Sequence, residues 1–177
     1  MAASTIVESM PAATQISVSE YLATSYDPDC EYVDGEILER NVGESDHSWP
    51  QGRLIIFLGT REAESGIRVF PEQRVQVTPT RFRIPDVTVL LASAPKEQIF
   101  KAPPFLCVEI LSEGDFVSGT FEKIEEYLRM GVPHVWVIDP RRRRGYHFTT
   151  EGMREAKDGI LRTSNPDIAV PLAALFD

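Results

Sequence analysis

The chain has 177 residues, 42% of them apolar, which suits one ordinary domain with a real core, and no apolar run approaches the roughly 18 residues of a membrane-spanning helix. Its formal net charge of −9 argues against a general polyanion binder, which would carry an excess of Lys and Arg. The first residues hold acids and prolines where a secretion signal needs a basic start and an apolar stretch, so a cytoplasmic protein with no membrane partner is expected.

Residues 1–15 are rich in Ala, Ser, Thr and Pro without periodicity and read as a mobile tail, leaving 16–177 as one domain. Ser17 followed by Glu20 has the spacing of a capping box and predicts a short helix from residue 18 to about 24. Cys30-Glu31-Tyr32-Val33 and Glu36-Ile37-Leu38-Glu39-Arg40 flank Asp34-Gly35, a strong two-residue hairpin signal. Leu54, Ile55, Leu58 and Ala63 fit a helical period across 45–65, with Pro50 near the first turn and Gly66 as terminator.

Strands are then expected at 68–70, 73–78, 82–91 and 105–111, with a loop and a helical turn over 94–104. Ile124, Tyr127 and Leu128 place a helix at 120–130, stopped by Gly131, and 135–138 is a buried strand closed by Asp139-Pro140. Segments 145–149, 154–156 and 160–163 read as a meander, followed by a short helix at 172–175. The expected fold is therefore α/β in the α+β sense: a mixed sheet flanked by helices on both faces, with an N-terminal hairpin and a C-terminal meander.

Cys30 and Cys107 form no C-x-x-C unit and read as reduced, partly buried thiols. The run Arg141-Arg142-Arg143-Arg144 follows a strand. It reads either as a solvated turn that keeps strand edges from pairing or as a local phosphate-contacting edge.

Two carboxylates stand out. Asp86 follows Ile84-Pro85 and precedes an apolar β-branched run, and Glu109 lies inside Leu106-Cys107-Val108-Glu109-Ile110-Leu111. A carboxylate on a buried strand must be paired, protonated or metal-bound, because an unpaired buried charge costs several kcal/mol. Pro85 removes an amide donor and suits a bend that redirects Asp86; taken alone, Asp86 reads first as an acid satisfied by a neighbouring turn. Side-chain alternation sets Glu109, Cys107 and Leu111 on one face and Val108 and Ile110 on the other. If the two strands are neighbours the acids meet and form a site for a hard divalent cation such as Mg2+, with Mn2+ as an alternative. Lys123, in the following helix, could reach back over the strand end; by itself it reads as a surface lysine beside Glu122 and Glu126.

These residues resemble a known family. Ile84-Pro85-Asp86, Val108-Glu109-Ile110-Leu111-Ser112, Glu122-Lys123-Ile124-Glu125-Glu126-Tyr127-Leu128, Gly131-Val132-Pro133 and Trp136-Val137-Ile138-Asp139-Pro140 are similar to the Uma-type endonucleases of the PD-(D/E)XK restriction-endonuclease-like superfamily. The resemblance runs from about Ser17 to Asp177 and includes Tyr32-Val33-Asp34-Gly35-Glu36 and His47. It implies a restriction-endonuclease-like sheet, metal ligands at Asp86 and Glu109, a supporting acid at Glu31 and a DNA substrate. The superfamily lysine two residues after the Glu is replaced here by Leu111, and the resemblance transfers its role to Lys123. Relatives carry Ser-Pro after the Glu strand, whereas this chain has Ser112-Glu113-Gly114-Asp115, so a more mobile and more acidic loop over the site is expected, in which Glu113 or Asp115 could add a ligand or repel a phosphate.

His47 falls at the start of a predicted helix and reads as a general base or as a capping histidine. His134, His147, Tyr127 and Trp136 read as packing residues. The leading expectation is a Mg2+-dependent endodeoxyribonuclease, with a homodimer natural for an enzyme that cuts both strands. Two alternatives come from other classes: a non-catalytic nucleic-acid-binding or assembly module on the same fold, and a metal-dependent hydrolase of a small phosphorylated molecule.

Overall fold

The computed structural model describes residues 15–40, 43–112 and 117–177. The expected tail therefore lies, apart from Gln15, outside the described residues. In chain order the elements are α1 Val18–Ala23, β1 Cys30–Val33, β2 Glu36–Glu39, α2 Ser45–Gly59, α3 Glu62–Ser65, β3 Ile67–Pro71, β4 Val75–Thr78, β5 Arg81–Arg83 and β6 Val87–Leu91. They continue with β7 Leu106–Ile110, α4 Val117–Met130, β8 His134–Asp139, β9 Arg144–Thr149, β10 Gly152–Glu155, β11 Ile160–Arg162, β12 Ala169–Pro171 and α5 Ala173–Phe176.

Local chemistry explains several boundaries. The Ser17 hydroxyl caps α1 by accepting from the Glu20 amide at 3.2 Å, satisfying one of the amides a helix start leaves unpaired. Asp34 and Gly35 have φ of 49° and 104°, the two positive values that a tight hairpin turn requires. In the β1–β2 register Val33 faces Glu36 and Cys30 faces Glu39.

Strands β2-β1-β5-β4 form one sheet, β10-β9-β8-β7-β6-β3 a second, and β11 and β12 pair separately. In the six-stranded sheet only β7 and β8 run parallel. They are joined by α4, the helical crossover that a parallel pair needs. Alternation along β7 and β8 supplies both faces of this sheet. Leu106, Val108, Ile110, Trp136 and Ile138 pack under Leu54 and Leu58 of α2 and Leu175 of α5. Cys107, Val135 and Val137 pack against Ile124 and Tyr127 of α4 and Val75 of β4. A third cluster of Tyr21, Tyr32 and Phe82 fixes α1 on the four-stranded sheet. Cys30 and Cys107 are both buried and free, as expected.

Several expectations need correction. The strand expected over 82–91 is two strands in different sheets, because Pro85 cannot donate to a ladder and the chain turns at Ile84-Pro85-Asp86. Asp86 thus stands at a corner between sheets rather than inside a strand. The helix expected over 45–65 breaks into α2 and α3, and Gly66 at φ 64° caps the second. Pro50 is the sixth residue of α2 rather than part of its first turn. Segment 94–104 contains no helical turn; Phe100 instead bridges to Val75. The third stretch of the expected meander, β11, leaves the main sheet to pair with β12, whose three residues end in Pro171 and carry too little periodicity to be read from sequence. Among the described residues no helix is long and apolar enough to cross a membrane.

Candidate active site

Asp86 is placed by the corner that Pro85 makes. Val87 pairs with Val108, so one further step along this antiparallel register brings Asp86 to the level of Glu109. The corner is fastened from both sides. The Asp86 carbonyl accepts from the Glu72 amide at 3.2 Å and from Gln51 Nε2 at 3.0 Å. The carboxylate is 5% exposed. Its Oδ2 accepts from the Ile110 amide at 2.7 Å and lies 3.1 Å from His47 Nε2; its Oδ1 accepts from Arg40 Nη2 at 2.8 Å.

Glu109 faces α4, as the alternation of β7 requires. Tyr127 donates its hydroxyl to Oε1 at 2.7 Å, and Lys123 Nζ lies 3.3 Å from Oε2. The two contacts come from one helix face, since residues 123 and 127 are four apart. The same ammonium lies 2.9 Å from Glu31 Oε1. Glu31 is buried because Tyr32, its neighbour on β1, points the other way into the aromatic cluster. Its remaining partners are the Ile84 amide at 3.0 Å and Arg83 Nη1 at 3.0 Å. Arg83 then forks onto Glu126 of α4 with contacts of 2.6 and 3.1 Å. The site is therefore a chain of charge pairs that ties β1, β5, β7 and α4 together.

The charges are unequal in consequence. Burial pushes the Glu109 carboxyl up to about 7; Asp86 and Glu31 add to this, while Lys123 and the Tyr127 hydrogen bond oppose it. Burial also pushes Asp86 up, but His47, the Ile110 amide and Arg40 outweigh it and hold that carboxyl below its ordinary value. Lys123 is held well above its ordinary value: burial works against its charge, and Glu109 and Glu31 overcome it. Burial likewise pushes the Tyr127 hydroxyl well up, with the neighbouring acids adding to it, so it stays a donor.

All five residues singled out from the sequence, Glu31, His47, Asp86, Glu109 and Lys123, line one pocket of about 480 Å3. Its wall carries six carboxylates, Glu31, Glu39, Glu72, Asp86, Glu109 and Glu122, against three cationic side chains, Arg40, Arg83 and Lys123. Leu111, at the position where the superfamily has lysine, is part of the same wall. Glu113 and Asp115 lie outside the described residues. Two carboxylates lining one pocket amid a surplus of negative charge fit a hard divalent cation. Among the described residues no three His, Cys, Asp or Glu side chains converge on one point. The protein would thus supply Asp86 and Glu109, and water or substrate the other positions, which is the usual manner of Mg2+.

Arg40, Arg83, Glu126 and the Tyr127 hydroxyl belong to this site but were not legible as such. Tyr127 is fully buried and does pack as a core aromatic, with its hydroxyl turned to Glu109; its four-residue spacing from Lys123 was the available signal. Arg141 to Arg143 lie in the β8–β9 turn and Arg144 opens β9; Arg142 pairs with Asp139, Arg143 with Asp177 and Arg144 with Glu155. His134 and His147 sit away from the pocket, with Nδ1 of the first 2.9 Å from Nε2 of the second.

The sequence model of the Uma2 family, described as "Putative restriction endonuclease", matches residues 18–171. The chain belongs to the Uma2 family. A solved structure supports the same architecture: a protein from Anabaena variabilis ATCC 29413, described as "a putative nuclease belonging to DUF820", superposes with a TM-score of 0.79. It is 21% identical, and the match covers 91% of this chain and 97% of that one. At that identity the likeness establishes the restriction-endonuclease-like fold. No curated protein matches the chain. The Uma2 family match spans every residue of the pocket; of the residues singled out above, Glu31, Asp86 and Glu109 are buried, and Lys123 is part-exposed beside them.

Proposed function

We propose that this Uma2 chain is a Mg2+-dependent endonuclease that hydrolyses DNA phosphodiester bonds, with Mn2+ as a substitute ion. The reading is supported by Asp86 and Glu109 lining one pocket, level with each other in the β6–β7 register, with the Lys123 ammonium 3.3 Å from Glu109. This is the set of groups that metal-dependent phosphoryl chemistry uses. Family membership supports the same reaction class.

Asp86 and Glu109 would hold the ion, which when bound polarises the phosphate and lowers the pKa of a coordinated water. Lys123 offers a fixed positive charge where negative charge develops on the phosphate oxygens. Glu31 holds that ammonium in place, and Tyr127 orients Glu109. The Nε2 atom of His47 is already engaged with Asp86, which favours a positioning role over a general base. The net negative charge of the pocket wall would repel a phosphodiester unless a cation were held by these acids. A homodimer in the cytoplasm is the matching assembly for cutting a duplex on both strands.

The test is calorimetric titration with Mg2+ and Mn2+, followed by assays on plasmid DNA, single-stranded DNA and RNA. The parent should bind metal and cut DNA, and Asp86→Ala and Glu109→Ala should do neither while remaining folded. Metal binding without cleavage of any DNA would point instead to a small phosphorylated substrate or a non-catalytic module. Equal cleavage by parent and both variants would remove the assigned ligands.

A further inference from the structure

Arg40 occupies a position that the two-carboxylate reading leaves unexplained. It follows β2, and its side chain is 15% exposed within the pocket wall. One guanidinium nitrogen lies 2.8 Å from Asp86 Oδ1 and the other 3.3 Å from Glu72 Oε1. Asp86 Oδ2 is engaged by a backbone amide and by His47, so Oδ1 is the oxygen that can turn to a new partner. It is the oxygen that Arg40 holds. Burial acts against the Arg40 charge, but Asp86, Glu72, Glu109 and Glu31 more than offset it and raise its pKa. Arg40 is thus the cation that the pocket acids hold on the Asp86 side, as Lys123 is on the Glu109 side.

We propose that Arg40 is a cation stand-in: it competes with the divalent ion for Asp86 Oδ1, and once displaced it binds the phosphate of the substrate. This rests on the metal-site reading of the same pocket. A guanidinium and a divalent ion on one carboxylate oxygen repel each other across a few ångströms of poorly screened space. The arginine is the partner that can move, because it sits on a flexible stem whereas Asp86 is pinned by a backbone amide. Its planar fork matches two phosphate oxygens as well as it matches carboxylates. Glu72, half exposed, is a weaker anchor than a phosphodiester would be. The exchange orders the events: metal first, guanidinium released, phosphate captured. It also gives an acidic pocket a means of binding an anion only after the ion has arrived.

The experiment measures Mn2+ affinity by calorimetry for the parent, Arg40→Gln and Arg40→Lys, with thermal melts to confirm folding and cleavage assays alongside. Arg40→Gln should bind Mn2+ about tenfold more tightly, since a competing charge is gone, and should cleave DNA about 100-fold more slowly. Arg40→Lys keeps the charge but not the fork, so its Mn2+ affinity should stay near that of the parent while cleavage still falls. Unchanged or weaker Mn2+ binding in a folded Arg40→Gln overturns the proposal and leaves Arg40 as a simple brace for Asp86. If neither the parent nor Arg40→Gln binds Mn2+, the metal-site reading itself fails. Binding by Arg40→Gln alone would support the competition directly.

Discussion

Replacing Arg83 with methionine should destabilise the protein by about 3–4 kcal/mol. The side chain is 3% exposed and lies between two buried acids, with contacts of 2.6 and 3.1 Å to Glu126 and 3.0 Å to Glu31. Methionine fills nearly the same length, so the cavity contribution is small and the loss is electrostatic. Removing one partner of a buried ion pair costs roughly 3–5 kcal/mol. The lower part of that range applies because neither acid is left alone: Glu126 keeps Arg81 at 2.5 Å, and Glu31 keeps Lys123 and the Ile84 amide. For a chain of this size the change corresponds to a Tm about 10 °C lower. Thermal and urea melts at pH 7 measure it.

The loss should shrink in acid. Burial pushes the Glu126 carboxyl up, but Arg83 and Arg81 pull it below its ordinary value of 4.5. Its pairing therefore contributes fully above that ordinary value and is lost as pH falls through the depressed one. A double variant, Arg83→Met with Glu126→Gln, should lose at least about 1 kcal/mol less than the two single losses together. A Tm shift under about 2 °C for Arg83→Met at pH 7 would refute the reasoning, since the pairs would then contribute no more than solvent does.

Three further outcomes are expected. Glu109→Gln should melt no lower than the parent, because a carboxyl whose pKa is raised to about 7 by burial and by Asp86 and Glu31 is held at a cost; a markedly lower Tm would contradict that. Tyr127→Phe removes a buried 2.7 Å hydrogen bond to Glu109 and should lower stability by about 1.5–3 kcal/mol in urea titrations. Burial, with help from His134 and Arg154, holds His147 down at about 4 against an ordinary 6.5, so the folded protein keeps it neutral. Stability should then fall as pH drops from about 6.5 to about 4, by on the order of 1–2 kcal/mol after solvent screening, and His147→Gln should remove that part of the slope.

Much of the fold was legible because its signals are local. Asp34-Gly35 encodes a turn by its own backbone preferences, Ser17 caps α1 by reaching an amide only three residues on, and the 3.6-residue spacing of Ile124, Tyr127 and Leu128 marks one face of α4. The break at Pro85 was legible as chemistry but not as topology. A missing amide predicts a bend, whereas which sheet each half joins depends on strands far away in sequence. The same distinction explains α2 and α3, which share an apolar pattern but part at Thr60, and β12, which has almost no pattern of its own.

The sequence alone marked two carboxylates as anomalous among apolar residues, and for Glu109 it also set the face, because alternation along a strand sets the direction of a side chain without reference to anything distant. With the family resemblance it also named Glu31, His47 and Lys123. Tertiary structure alone decided who neutralises whom. Arg83 reaches Glu31 across 52 residues and Arg40 reaches Asp86 across 46, and nothing in the local pattern of either arginine records its partner. Charge pairing depends on distance in space and on exclusion of water, and both exist only after β1, β5, β7 and α4 have packed together.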